Sequence, residues 1–287
     1  MKARVFILTL LAMIAFASNS LLCRVALRDT TIDPATFTFA RIFAGAITLW
    51  LILNLRRSTS SREGNWISAL ALFAYAAAFS FAYVDLSAGT GALLLFGAVQ
   101  ATMILWGFHK GERLDAIQVA GLVVALIGLV VLVFPGISAP PLMGSVLMLS
   151  AGVAWGTYSL RGKSAADAIE ATTGNFLRAV PFAALISLIM LSRMHLDSLG
   201  ILYAVISGAI TSGIGYVIWY AALPGLKAAA AATVQLSVPV LAATGGILLL
   251  SEPITSRYVF ASVAVLGGIA MVVVEKQRAA SGTENQK

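Results

Sequence analysis

The residues of this chain best suited to hold a ligand are aromatic, and they recur at helical spacing. Tyr75, Phe79 and Tyr83 stand at i, i+4 and i+8, which stacks them on one face of a helix. At an offset of 137 residues, Ser212, Tyr216 and Tyr220 repeat the spacing. Facing each other, two such stripes would line a central cavity. Ring faces suit an apolar or aromatic side chain, and they also attract a cation. The competing reading is helix packing. Tyr83 and Tyr220 lie near the ends of apolar runs, where tyrosine also serves the membrane interface, so they are candidates for a cavity mouth.

Polar groups within apolar runs form the second set. Phe16, Ser18 and Asn19 correspond in position to Trp155, Thr157 and Tyr158. The Asn19 amide needs partners in an apolar setting. It can bind a substrate amino or carboxylate group, or tie two helices together. Trp155 sits in the middle of its run, which favours packing or cavity lining over interfacial anchoring. Gln100 and Gln235 are equally suited to ligand contact and to interhelical bonding. Arg41 and Arg178 each lie about two turns into an apolar run. They can attract a carboxylate at the two mouths, or snorkel to lipid phosphate. Glu112 and Glu252 stand near run ends, where they cap or orient helices or line a gate.

Other chemistries lack their residues. Cys23 is the single cysteine and there are two histidines, which excludes an internal disulfide and any multi-cysteine metal site. The sequence holds no His/Glu metal spacing, no phosphate-cradling Gly-Lys-Ser loop and no Ser/His/Asp arrangement. We therefore expect no enzyme activity, no metal and no cofactor. Proton-coupled carriers usually bury an acidic residue or a histidine. Here Asp85, Glu112, Glu252, His109 and His195 all lie near the ends of runs, so facilitated diffusion stands beside proton antiport.

The elements that must position these residues follow from composition. Of 287 residues, 60% are hydrophobic and 11% charged, against about 25% charged in soluble domains. So few charges cannot cover a water-soluble fold, a disordered chain or a disulfide scaffold. A crossing helix needs about 20 mostly apolar residues. Ten such stretches are predicted, at Val5–Leu22, Ala35–Leu55, Trp66–Val84, Ala88–Phe108, Ile117–Phe134, Leu142–Leu160, Thr173–Leu191, Gly200–Leu223, Ala228–Leu250 and Tyr258–Val274. The runs are continuous rather than alternating, which argues against a β-barrel. The first resembles a signal peptide, since Lys2 and Arg4 precede it. It ends on Arg24 and Arg28 instead of a small-residue cleavage site, so it reads as a retained helix.

The +7 charge orients the chain and does not signal nucleic acid. With the N-terminus cytoplasmic, the inner segments hold Lys2, Arg4, Arg56, Arg57, Arg62, Lys110, Arg113, Arg161, Lys163, Lys227, Lys276, Arg278 and Lys287. The outer segments hold Arg24, Arg28, Arg193 and Arg257. Of the 19 basic residues, that is 13 inside and 4 outside, with Arg41 and Arg178 within helices. Lysine and arginine concentrate on the cytoplasmic side, so both termini are expected there. Residues 277–287 read as a disordered tail.

The halves also resemble each other. Ala15-Phe16-Ala17-Ser18-Asn19-Ser20-Leu21 aligns with Ala154-Trp155-Gly156-Thr157-Tyr158-Ser159-Leu160. Phe39-Ala40-Arg41 aligns with Phe176-Leu177-Arg178, and Tyr83-x-x-Leu86 with Tyr220-x-x-Leu223. Gly111-Glu112-Arg113-Leu114 aligns with Ser251-Glu252-Pro253-Ile254, and Gly121 and Gly128 with Ala261 and Gly268. The offset stays between 137 and 140 throughout. Residues 1–138 and 139–276 are thus expected as two five-helix repeats. Five spans are an odd number, so the second repeat must be inverted, an arrangement common in secondary transporters.

Ten helices in two inverted halves, with Gly-Glu-Arg-Leu and Ser-Glu-Pro-Ile after the fourth and ninth, resemble the drug/metabolite transporter superfamily, EamA type. Pro239, in Leu236-Ser237-Val238-Pro239, matches the family pattern, whereas Val99 stands at the corresponding place in the first half. The resemblance implies export of small metabolites, amino acids including aromatic ones, across the bacterial inner membrane by alternating access. Its partners would be the substrate and the bilayer, with the chain a monomer or homodimer. Export of drugs, nucleosides or quaternary amines remains open, as does a non-transporting protein that keeps the fold. A channel would want a ring of like residues from an oligomer, and unlike halves in one chain do not supply one.

Overall fold

The computed structural model describes residues 3–56, 63–111, 114–136, 138–162, 165–226 and 228–284, with backbone alone at 228–230, 232 and 276–284. Among the described residues there is no strand, and the helices fall where the apolar runs predict them. They are α1 (Ala3–Asp29), α2 (Pro34–Leu55), α3 (Trp66–Ala82), α4 (Ala88–His109), α5 (Ala116–Val133), α6 (Leu142–Gly162) and α7 (Ala168–Ile189). Then come α8 (Ser198–Gly225), α9 in two pieces (Ala228–Gln235 and Ser237–Leu250) and α10 (Ser256–Glu284). Eight are long and apolar enough to cross a membrane. The other two are α3, which is apolar but 17 residues long, and α6, which has the length but carries Ser145, Ser150, Thr157, Ser159 and Arg161. Large apolar side chains such as Phe6, Leu10, Phe43, Ile127, Val130 and Val263 face outward. This is an integral membrane protein, with its apolar surface turned toward lipid rather than hidden.

Scarce acidic residues open the helices. Asp33, Asp167 and Asp197 accept backbone N–H groups at the starts of α2, α7 and α8. Asp115 forms a reciprocal capping box with Gln118 at α5. These bonds satisfy amides that a helix start leaves open.

Two local sequence features bend the rods. Pro239 cannot donate to the Gln235 carbonyl and its ring crowds that group, and α9 breaks at Leu236. Val99 imposes no such break, and α4 runs unbroken. In α8, residues Ser207–Ile214 are π-helical, an irregularity that proteins place at functional sites.

The packing joins first-half helices to second-half helices. α5 packs on α10, α3 on α6 and α7, α4 on α6 and α9, α2 on α7 and α8, and α1 on α8 and α9. Exchanging α1–α5 with α6–α10 maps these main pairings onto one another. Small residues allow the closest crossing: a Cβ at Gly121 would strike the Gly268 carbonyl, and one at Gly268 the Gly121 carbonyl. Such close backbone approach is how membrane helices associate.

Hydrogen bonds sort the loops to two ends of the bundle. At the end away from the N-terminus, Arg28 reaches the Leu250 carbonyl, Asp33 accepts from His195 N, and Arg257 bonds to the Phe134 carbonyl. At the near end, Arg178 reaches the Glu63 carbonyl and Arg161 reaches Asn65 and Ser68.

One expectation is corrected. Residues 277–284, read as a disordered tail, continue α10 as helix, since Lys276, Gln277, Arg278, Ala279 and Ala280 all favour that conformation. Residues 285–287 lie outside the described residues. So do Glu112 and Lys2, Arg57, Arg62, Arg113, Lys163 and Lys227 among the residues singled out above.

Candidate functional site

The aromatic stripes meet, and Trp155 joins them. From α3, Tyr75 packs on Trp155 with ring centres 4.8 Å apart. From α8, Tyr216 stacks on the same indole at 5.4 Å and 16°. Tyr158, one turn along α6, stacks on Trp155 at 5.3 Å. Phe79 continues the chain beyond Tyr75 at 5.4 Å, and Tyr83 beyond Phe79 at 4.7 Å, edge to face. On the other side, Phe16 reaches Tyr216 at 5.7 Å and Trp219 at 6.1 Å. Phe176 and Tyr220 complete the row around Tyr216 at 6.1 and 6.5 Å. The cluster therefore draws on α1, α3, α6, α7 and α8, from both halves of the chain. Its rings are packed on one another rather than spread around open space, so a ligand would enter only as they part.

Asn19 anchors a polar seam beside the rings. Its Oδ1 accepts from Ser207 Oγ at 2.6 Å and from Thr211 Oγ1 at 3.2 Å, and its Nδ2 donates to Tyr75 Oη at 3.4 Å. The amide ties α1 to α3 and to the π segment of α8. Ser207 and Thr211 both turn toward Asn19 there. Gly208 in the same segment lies flat against the Arg41 carbonyl.

Arg41 is deeper than a mouth position. It is 3% exposed, and its Cζ lies 4.9 Å from the Phe79 ring centre and 5.3 Å from that of Tyr75. Its Nη1 has no hydrogen-bond partner. Arg178 differs: it is half-buried and its Nη1 donates to the carbonyls of Gly174 and Glu63, at 2.9 and 3.2 Å. That residue fastens α7 to the chain entering α3. Tyr83 is fully buried and donates to the Ala88 carbonyl at 3.2 Å, pinning the α3–α4 turn. Tyr220 bonds to the Thr172 hydroxyl at 3.3 Å. Ser212 is buried in the π segment, Gln100 is buried in α4, and Gln235 is half-buried where α9 breaks.

Several participants carried little signal in sequence. Phe176 and Trp219 join the ring cluster although neither belongs to the stripes. At the far end, Arg24 Nε pairs with Glu252 Oε1 at 3.0 Å, and its Nη1 donates to the carbonyls of Tyr83 and Val84. Glu252 Oε2 accepts from Ala88 N, the first amide of α4. This network joins α1, the α3–α4 turn and the α9–α10 turn. Among the described residues no group of His, Cys, Asp and Glu could hold a metal.

A model of the EamA-like transporter family matches residues 3–134 and again 142–274. The chain belongs to the EamA-like transporter family. An uncharacterized protein of Pseudomonas aeruginosa is 55% identical over 274 residues, covering 95% of this chain and 96% of its own. A "probable amino-acid metabolite efflux pump" of Escherichia coli is 26% identical over 211 residues, covering 67% of this chain and 70% of its own. One crystal structure of a protein aligns over 96% of this chain and 98% of its own, with a TM-score of 0.66 at 17% identity. That likeness concerns the fold. Family membership and the apolar helices together make the chain a multi-pass membrane transporter of small molecules.

Proposed function

We propose that this EamA-like chain exports small amphipathic metabolites, foremost amino acids with apolar or aromatic side chains, across a bacterial inner membrane. Two inverted halves cross the bilayer ten times, and the site opens alternately to either side. The observation that carries this reading is the ring cluster around Trp155, to which both halves contribute. It sits between hydrogen-bonded closures at both ends of the bundle: Arg24–Glu252 at one, and Arg161 with Arg178 on the chain entering α3 at the other. A carrier that rocks about its midplane needs a closure at each end and a site between them. One chain supplies both halves of the cluster, so the reading requires no second copy. The efflux pump similar to this chain supports the amino-acid assignment.

The test is uptake of labelled amino acids into liposomes. Tyr75→Ala with Tyr216→Ala removes two of the three rings packed on Trp155, one from each stripe. Stacking pairs contribute about 0.5–1.5 kcal/mol each beyond area burial, so transport per folded molecule should fall by roughly tenfold, measured on the folded fraction because truncating buried rings also lowers stability. Unchanged uptake would remove the cluster from the site.

Orientation has its own check. A reporter fused after Lys287 should read as cytoplasmic, given 13 inner against 4 outer basic residues among the 19. A periplasmic signal would reverse the topology.

A further inference from the structure

We propose that Arg41 receives the carboxylate of the transported molecule, so that the substrate class is organic acids and amino acids rather than cations. The inference rests on the transport reading above and deepens it. Arg41 lies within an apolar helix, is 3% exposed, and leaves Nη1 without a hydrogen-bond partner. Lone charges at such depth are costly and mark substrate or ion pathways. The ring faces of Tyr75 and Phe79 offset part of that cost, and the Tyr75 hydroxyl lies within reach of the guanidinium, but neither residue supplies a counter-charge and Nη1 stays without a partner. The groups that face Arg41 from the helices around it are Cys23, Tyr75, Phe79, Gly208 and Tyr216. None of them is a carboxylate. Among the described residues the ion pairs are Arg24–Glu252 and Arg28–Asp29, and neither includes Arg41.

Arg178 supplies the internal control. It stands at the same place in the second half, and its guanidinium donates to two backbone carbonyls. Backbone carbonyls from both halves therefore satisfy the arginine at this place in the second half, and Nη1 of Arg41 has no such partner. A planar guanidinium matches a carboxylate through two parallel hydrogen bonds. With the carboxylate on Arg41, the apolar part of the molecule would lie along Tyr75, Phe79 and Trp155. Quaternary amines and other cations would meet an unpaired positive charge among those rings and be rejected.

Binding to purified chain in lipid nanodiscs tests this, read by the summed fluorescence of the five tryptophans and by melting temperature. The probes are 3-phenylpropionate, phenylalanine, phenylalaninamide and phenethylamine. Hydrogen bonds to charged groups correspond to roughly 10- to 100-fold in affinity. We expect the two acids to bind that much more tightly than the amide and the amine. Arg41→Gln should abolish the difference by weakening the acids alone. If Arg41→Gln yields no folded protein, Arg41→Lys keeps the charge and loses the planar fork, and it should narrow the preference. Equal binding of acid and amine by the natural chain would overturn the proposal, as would a variant that weakens all four probes alike. Arg41-dependent binding of 3-phenylpropionate without transport in liposomes would instead count against the export reading alone.

Discussion

Arg24→Ala should expose Cys23 to a water-soluble maleimide added at the far end of the bundle. Cys23 is fully buried and is the one cysteine of the sequence, so labelling carries no background. It neighbours a residue that closes three segments at once, through Glu252 and the carbonyls of Tyr83 and Val84. The paired side chains are only 13% and 8% exposed. Removing one member of a buried pair strands the other, at about 3–5 kcal/mol when fully buried. Allowing for water at this end, about 2–3 kcal/mol is the expected loss. That corresponds to a shift of roughly 30- to 150-fold toward open forms. Glu252→Gln should act in the same direction but less, since an amide oxygen can still accept from Ala88 N. The double variant Arg24→Met with Glu252→Gln should label less than the sum of the single effects implies, because no lone charge remains. Labelling that stays at the natural level in Arg24→Ala would show that the ion pair does not hold this end shut.

The second large effect is expected at Gly208. A methyl group there would run into the Arg41 carbonyl. That oxygen belongs to an α-helical backbone and cannot swing aside as a flexible side chain would. Overpacking a tight site costs about 1–3 kcal/mol, which opposes the gain of about 1 kcal/mol that alanine normally brings to a helix. Gly208→Ala should therefore lower the melting temperature in detergent and separate α8 from α2. Gly267 in α10 is the control, since nothing lies within 4 Å of a Cβ placed there. Gly267→Ala should leave the melting temperature unchanged or raise it. Equal behaviour of the two variants would mean that α8 has room to move at the π segment.

Much of this molecule is legible in its sequence. The apolar runs located the helices, with ends within two residues except at the close of α1, the start of α7 and the close of α10, because hydropathy and capping act within a few neighbouring positions. Pro239 stands where α9 breaks and Val99 where α4 runs unbroken, as proline geometry requires. The stripes at Tyr75 and Tyr216 were visible as stripes, since helical periodicity alone puts their members on one face. The tail was misread, because a polar composition does not prevent a good helix from continuing past the apolar stretch.

What the sequence determined by itself is the solvent, the helices, the family and the doubling of the chain, all of which depend on local spacing or on composition. The tertiary structure decided which side chains meet. Arg41 and Arg178 are equivalent in sequence, yet one lies unpaired on two rings and the other is fastened to backbone carbonyls. Arg24 and Glu252 are 228 positions apart, and no spacing rule links them. Trp155 became the joint between the stripes only once α3 packed on α6 and Tyr216 of α8 came to lie against the indole. Such meetings depend on the rotation and register of each helix against its neighbours, which glycine contacts, the π segment and the closures at both ends fix together and no single segment encodes.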